Sequence, residues 1–248
     1  MYLYIVDSCA QNKKFQRDLL HIQARIQDLG ITGRFEKLTM LKSIQDIVHD
    51  AERKGVRTIV AIGSDKTVNA IISHLTDNTI TLGLIPLGEE KNSIADALNI
   101  PYGEAACAIL SKRIIKKLDL GKVNGRYFFS SLSIPASQNT KVECDKSYFL
   151  KTTGMAPIKI INFCDNGYRG NAQDGKLEAV VEETEHRGFF SFLKTRATSV
   201  RNSIIPAKNI FVKNSEESVP IYSGNDVMVK TPATIEIVPK KLRIIAGT

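Results

Sequence analysis

The chain has 248 residues, 43% of them apolar, and its 34 basic and 26 acidic side chains leave a formal charge of +8. That is enough apolar material for one large core or two modest ones. No apolar run approaches the roughly 20 residues that span a bilayer, and the N-terminal YLYIV lacks the flanks of a signal peptide, so a cytoplasmic location is expected. Residues 2–6 read as a short strand, and Phe15, Leu19, Ile22, Ile26 and Leu29 then recur at helical spacing until Gly30. Residues 34–38 read as a second strand, followed by a helix capped by Ser43 that carries Ile44, Ile47, Val48 and Ala51 and stops at Gly55. Residues 57–62 and 79–85 supply a third and a fourth strand, and helices are expected near 93–98 and 102–113. Strands alternating with amphipathic helices predict a parallel sheet covered on both faces over residues 1–115.

After about residue 116 the pattern changes to strand-like runs: 117–120, 126–134, 141–150, 158–163, 177–182 and 209–212. Residues 116–248 are therefore expected to form a β-rich, mostly antiparallel second domain whose last strands return toward the first. Residues 164–175, CDNGYRGNAQDG, are dense in turn formers. Cys9, Cys107, Cys144 and Cys164 are widely spaced and form no C-x-x-C pair, which points to buried thiols rather than disulfides or zinc. His21, His49, His74 and His186 show no ligand spacing and read as surface or capping residues. The positive charge attracts nucleotides, acidic lipid headgroups or nucleic acid. No nucleic-acid module is visible, so no nucleic-acid partner is expected. The aromatic-basic cluster Phe189, Phe190, Phe192 and Leu193 with Arg187, Lys194, Arg196 and Arg201 reads either as a capping helix or as a membrane-facing lip.

The most informative stretch is RTIVAIGSDKTVNAIISHL, residues 57–75, a buried strand, a polar turn and a helix. Such a turn aims unpaired N–H groups and the positive end of the helix dipole at the crevice above the strand, where phosphate binds well. It is not a P-loop, because G-x-x-x-x-G-K-(S/T) is absent. The GSDKTVN segment resembles the G-G-D-G-T-(V/I/L)-N signature of the diacylglycerol kinase and bacterial lipid kinase family, shared in part with NAD kinases. LGLIPLGEEKNSIADALNIP resembles the family's second motif, L-G-I-I-P-L-G-T-G-N-D-F-A-R-A-L-G-I-P. LDLGKVNGRYFFSSLSI resembles the strand that follows, and VMVKTPATIEIVPKKLRII the family's last strands.

The resemblance implies an ATP-dependent lipid kinase in which Gly63, Ser64, Asp65, Lys66, Thr67, Asn69, Gly88 and Asn92 handle the nucleotide. Asp174 of the D-G-x-L turn would then hold Mg²⁺. The departures are specific. Lys66 replaces a glycine, and a non-glycine residue at positive φ there would cost about 1–2 kcal/mol; as a cation it either contacts phosphate or points to solvent. Glu89 and Glu90 replace a glycine and a threonine in the second loop and would repel a triphosphate. Ser223, Gly224 and Asn225 stand where the family carries the D-G-E turn that supplies its base. Asp226 is the nearest substitute, and it takes that role only if the turn is re-registered. Two readings follow, a lipid kinase of weak activity or a catalytically inactive relative that binds nucleotide or lipid as a sensor or scaffold. Its partners would be nucleotide and a lipid or anionic membrane surface, with peripheral attachment to the membrane.

Overall fold

The computed structural model describes residues 1–39, 42–75, 79–89, 91–151, 157–165, 168–181 and 203–248. The first half alternates β1 (Tyr2–Val6), α1 (Gln16–Asp28), β2 (Gly33–Lys37), α2 (Ile44–Arg53), β3 (Thr58–Gly63), α3 (Asp65–His74), β4 (Thr81–Pro86), α4 (Ser93–Ala97) and α5 (Ala106–Lys112). Its strands pair in parallel in the order β2-β1-β3-β4. Every residue of β3 and β4 is buried, as a central parallel strand covered on both faces requires. α1 packs with α5, and α2 with α3. The start of α2 is fixed by a reciprocal cap, in which the Ser43 hydroxyl accepts the Asp46 N–H at 3.2 Å and the Asp46 carboxylate accepts the Ser43 N–H at 3.3 Å.

The second half is antiparallel. β5 (Ile115–Val123) pairs with β6 (Arg126–Phe128) and with the long final strand β18 (Ala233–Ile245). The far end of β18 also joins the parallel sheet, with Arg243 opposite Thr81 and Ile244 opposite Leu82. Its near end continues the same sheet through β15 (Asn209–Asn214), β8 (Thr140–Cys144) and β9 (Tyr148–Lys151). A second sheet runs β14 (Ser203–Ala207), β13 (Leu177–Val181), β10 (Ile158–Ile161), β7 (Ser131–Ile134), β16 (Pro220–Ser223) and β17 (Asp226–Lys230), and β11 (Cys164–Asp165) pairs with β12 (Tyr168–Arg169) in a short ribbon. One hydrophobic core surrounds the parallel sheet. The other, with Phe128, Leu132, Val142, Ile160, Ile210 and Ile235, lies within the β-rich half. The α/β fold with a parallel sheet and a β-rich antiparallel region is thus the one the sequence pattern predicts.

Several expected elements divide. The run 126–134 breaks at Phe129–Ser130, where the chain leaves the first sheet at β6 and enters the second at β7. The run 141–150 is a hairpin, β8 and β9, turning at Asp145 and Lys146, both in the left-handed region with φ of 49° and 57°. The expected helix 102–113 begins with a tight turn at Gly103–Ala105 before α5. Cys107, Cys144 and Cys164 are buried free thiols. His74 departs from the surface reading, because it is half-buried in the last turn of α3. The Phe189–Leu193 cluster, His186 and Glu90 lie outside the described residues. Among the described residues, no helix is long and apolar enough to cross a membrane.

Candidate active site

The turn from β3 into α3 is built around close contacts. A Cβ on Gly63 would stand 2.6 Å from the Asp7 Cβ and 3.0 Å from the Thr67 hydroxyl oxygen, so only glycine lets β1 and α3 approach this closely. The Thr67 hydroxyl donates to the Asp7 carboxylate. Ser64 precedes the helix in extended backbone and makes no side-chain cap. Lys66 is an exposed residue of the first turn of α3, without a positive φ. The strain expected at that position does not arise, because the helix starts at Asp65 and position 66 is already helical.

Asp65 ties this turn to the second loop. Its carboxylate accepts the N–H groups of Ser93 at 2.8 Å and Ile94 at 3.1 Å, the first orphan donors of α4. Asn92 answers in the other direction. Its amide donates to the Gly63 carbonyl at 3.2 Å, while its side-chain oxygen caps α4 by accepting the Ala95 N–H at 2.9 Å. Asn69 reaches into the β-rich half, donating to the Ser130 hydroxyl at 3.0 Å and accepting the Ser130 N–H at 3.2 Å. Thr67, Asn69 and Asn92 therefore have their polar atoms committed within the protein, and Thr67 and Asn92 are buried. Around the second loop, the Gly88 backbone meets the Tyr102 hydroxyl, Glu89 pairs with Lys14 at 2.8 Å, and Lys91 stands 3.6 Å from Asp96. The Glu89 charge is thus already matched by a lysine.

Opposite this wall stands the hairpin of β16 and β17. Ile221 faces Val229, but Tyr222 faces Val227 and Ser223 faces Asp226, so Met228 is an extra residue forming a bulge. The bulge draws Asp226 out of the turn and sets it across from Ser223. Between the walls lies a crevice of about 680 Å³, bordered by Asp65, Lys66, Asn69, Lys91, Ser223 and Asp226, with Arg126, His74 and Cys164 also on its surface. A smaller cavity of about 310 Å³ adjoins it at Lys91 and is bordered by Gly88, Asn92 and Tyr102. Of the residues predicted from sequence, Asp65, Lys66, Asn69 and Asp226 meet in the larger crevice. Gly88 and Asn92 line the smaller one, Gly63, Ser64 and Thr67 are buried behind the first wall, and Asp174 stands apart from both.

Burial pushes the Cys164 thiol up to about 12, with the Asp65 and Asp165 carboxylates adding to the effect. His74 is held below the ordinary histidine value by burial first, then by the positive charges of Arg126 and His49. Both groups are neutral at pH 7, which leaves Lys66, Lys91 and Arg126 as the crevice's fixed positive charges. The expected magnesium residue, Asp174, is exposed and turns its carboxylate onto the Lys176 N–H at 3.0 Å. The nearby buried carboxylate is Asp119, which accepts the N–H groups of Gly175 at 2.9 Å and Lys240 at 2.8 Å. Among the described residues, no three His, Cys, Asp or Glu side chains come together in a way that could hold a metal.

Asp7, Asp119 and Ser130 were not singled out from sequence. Asp7 follows the carboxyl end of β1, and in an open α/β sheet such positions border the ligand crevice, so that signal was present. Asp119 and Ser130 act across long chain separations and carry no local signal.

The crevice lies at the carboxyl ends of parallel strands and is closed by a β-rich half, an arrangement found in known proteins. Residues 1–123 match the family model of the diacylglycerol kinase catalytic domain. A diacylglycerol kinase of Bacillus subtilis is 31% identical over 177 residues, 66% of this chain. The match spans 58% of that relative's length. A solved diacylglycerol kinase structure from Bacillus anthracis superposes with a TM-score of 0.76 at 19% identity, covering 99% of this chain and 96% of that one. An NAD kinase from Archaeoglobus fulgidus, solved in complex with ATP, gives 0.62 at 11% identity, covering 99% and 93%. The fold is the one diacylglycerol kinases share with NAD kinases. By the family model over residues 1–123 and by fold over nearly its whole length, the chain is similar to the diacylglycerol kinases.

Proposed function

We propose that this protein is a lipid kinase of the diacylglycerol kinase type with low turnover, moving the γ-phosphoryl group of ATP to a lipid hydroxyl in the crevice between the two walls. The observation that carries the reading is the single crevice shared by Lys66 on α3, Lys91 on the second loop and Asp226 on the hairpin. Its volume suits a small-molecule site. The cations on one wall complement phosphate oxygens, and a carboxylate on the other wall is able to accept a proton. In this reading Asp226 takes the proton of the lipid hydroxyl. The hydroxyl oxygen attacks the γ-phosphorus, and the bond to the β–γ bridging oxygen breaks as ADP leaves.

Asp65, Asn69 and Asn92 act as supports that hold the phosphate wall against the hairpin wall rather than as ligands of the nucleotide. Lys14 lessens the repulsion that Glu89 would exert on a triphosphate. Mg²⁺ would arrive on the nucleotide's phosphates, where it keeps most of its waters and needs few protein ligands. The low turnover follows from Ser223 and Asn225, neither of which accepts a proton at neutral pH.

The test is calorimetric titration with Mg-ATP, followed by a phosphorylation assay on diacylglycerol in mixed micelles. Slow turnover abolished by Asp226→Asn supports the reading. Nucleotide binding with no turnover in either protein would instead favour the second reading, an inactive relative that senses nucleotide or lipid, for which the loss of both acids of the D-G-E turn speaks.

A further inference from the structure

The outer face of the β-rich half carries a pattern that the crevice does not use. β15, β8 and β9 lie side by side at one edge of the larger sheet. Their registers set Lys213 opposite Lys141 and Lys141 opposite Lys151. Two residues along, Phe211 faces Glu143 and Glu143 faces Phe149. Successive side chains in a strand point to opposite faces, so Val142, Cys144, Ile210 and Val212 fill the core while Lys141, Lys213 and Phe149 turn outward. Phe149 is 72% exposed, and Lys141 and Lys213 are exposed as well. Like charges directly opposite on neighbouring strands repel. Neither Lys141 nor Lys213 has a carboxylate partner among the described residues.

A row of facing lysines beside an exposed aromatic ring suits a surface that is anionic at its plane and apolar beneath it. We infer that this face docks on an anionic lipid bilayer, the Lys141–Lys213 row meeting headgroup phosphates while the Phe149 ring enters the headgroup layer. The choice of a lipid surface over another polyanion rests on the reading of the crevice as a lipid-hydroxyl site. It rests also on Glu143, whose charge stands between the two phenylalanines and interrupts the stacking run that a single-stranded nucleic acid uses. Lys and Arg side chains near an acidic leaflet contribute additively and fade with salt.

The experiment uses the full chain without nucleotide, with vesicles free of diacylglycerol, so that its outcome is independent of whether the crevice catalyses. Vesicles of equal parts phosphatidylglycerol and phosphatidylcholine are expected to sediment the protein, pure phosphatidylcholine vesicles are not, and salt of about 0.5 M is expected to release it. Lys141→Glu combined with Lys213→Glu should weaken binding by about tenfold or more while leaving the thermal midpoint in place. The chain has no Trp, so a Phe149→Trp variant carries one indole whose emission should move to the blue on anionic vesicles. The inference is overturned by absence of binding, by equal binding to neutral and anionic vesicles, by a double variant that binds like the parent, or by an unmoved indole. A blue shift with a single-stranded oligonucleotide and none with vesicles also overturns it and makes the face a nucleic-acid platform.

Discussion

Asn69 and Ser130 hold the two halves of the protein together by exchanging hydrogen bonds, the Asn69 amide donating to the Ser130 hydroxyl at 3.0 Å and the Ser130 N–H donating to the Asn69 side-chain oxygen at 3.2 Å. The same amide also donates to the Asp65 carbonyl at 3.0 Å, so one side chain couples the first turn of α3 to the point where the chain passes from β6 to β7. The crevice lies directly over this joint.

Asn69→Ala removes these bonds and leaves the Ser130 N–H half-buried without its acceptor. A loss of about 1–3 kcal/mol is expected in urea unfolding. Nucleotide affinity should fall as well, since the walls are no longer held in register. Unchanged stability together with unchanged affinity would show that the joint is not structural.

Asp65 gives a separable prediction. Its carboxylate accepts two N–H groups at the start of α4, and charge-assisted bonds of this kind are stronger than neutral ones. Asp65→Asn keeps the shape but loses the charge, and should cost about 1–2 kcal/mol. Because Asp65 is the largest electrostatic contributor to the raised Cys164 thiol, after burial, the same substitution should lower the pH at which Cys164 becomes reactive. Thiol labelling followed across the alkaline range by mass spectrometry measures this. A Cys164 profile that does not move would remove Asp65 as a cause.

His74 supplies a test by titration. Burial, then Arg126 and His49, hold its folded pKa below the ordinary value. A histidine depressed in this way contributes stability that is complete above the unfolded value, about 6.5, and is lost as pH falls through the folded value. Arg126→Gln removes the larger of the two repelling charges, so the His74 pKa should rise and part of the acid sensitivity should disappear. Proton NMR of the imidazole across pH 4–8 reads the first effect, and thermal midpoints over the same range read the second. A His74 pKa that falls or stays fixed in the variant would refute the assignment.

The parallel half was legible in the sequence because its signal is local. Residues 57–62 and 79–85 are short runs dominated by β-branched and apolar side chains, and the strands they become are buried on both faces. The β-rich half was harder to read where the chain turns without glycine. Asp145 and Lys146 take left-handed backbone in the middle of an apparently continuous strand pattern, and their cost is offset by the Asp145 carboxylate accepting the N–H groups of Lys208 and Asn209 more than sixty residues away. β14 carries Pro206, a residue that argues against a strand, and it is accommodated because β14 is the edge of its sheet. In the site, sequence spacing gave no means of seeing that Asn69 and Asn92 spend their amides on Ser130 and Gly63. Hydrogen bonds across such separations leave no periodic trace.

The hairpin facing the phosphate wall decides between a slow enzyme and an inactive relative. Gly224, at φ 60°, occupies the first position of a two-residue turn and supplies the positive φ that such a hairpin needs. Without the bulge at Met228, Ser223 would face Val227 and Asp226 would sit in the turn. With it, Asp226 pairs with Ser223, and both border the crevice. One carboxylate therefore stands at the crevice edge where the family's turn has two. Ser223→Asp with Asn225→Glu restores both acids without touching Gly224, and a positioned base contributes about 10²–10⁴-fold. Phosphoryl transfer to diacylglycerol should rise by about 10²-fold or more, with nucleotide affinity little changed because the phosphate wall is untouched. The gain should persist when Asp226→Asn is added, since the restored acids replace its function. A rise that vanishes on adding Asp226→Asn would instead keep Asp226 as the base and make the restored acids its helpers. No rise, alongside intact Mg-ATP binding, would mean that the crevice binds nucleotide without presenting a lipid hydroxyl to it, and the kinase reading would be abandoned for the sensor.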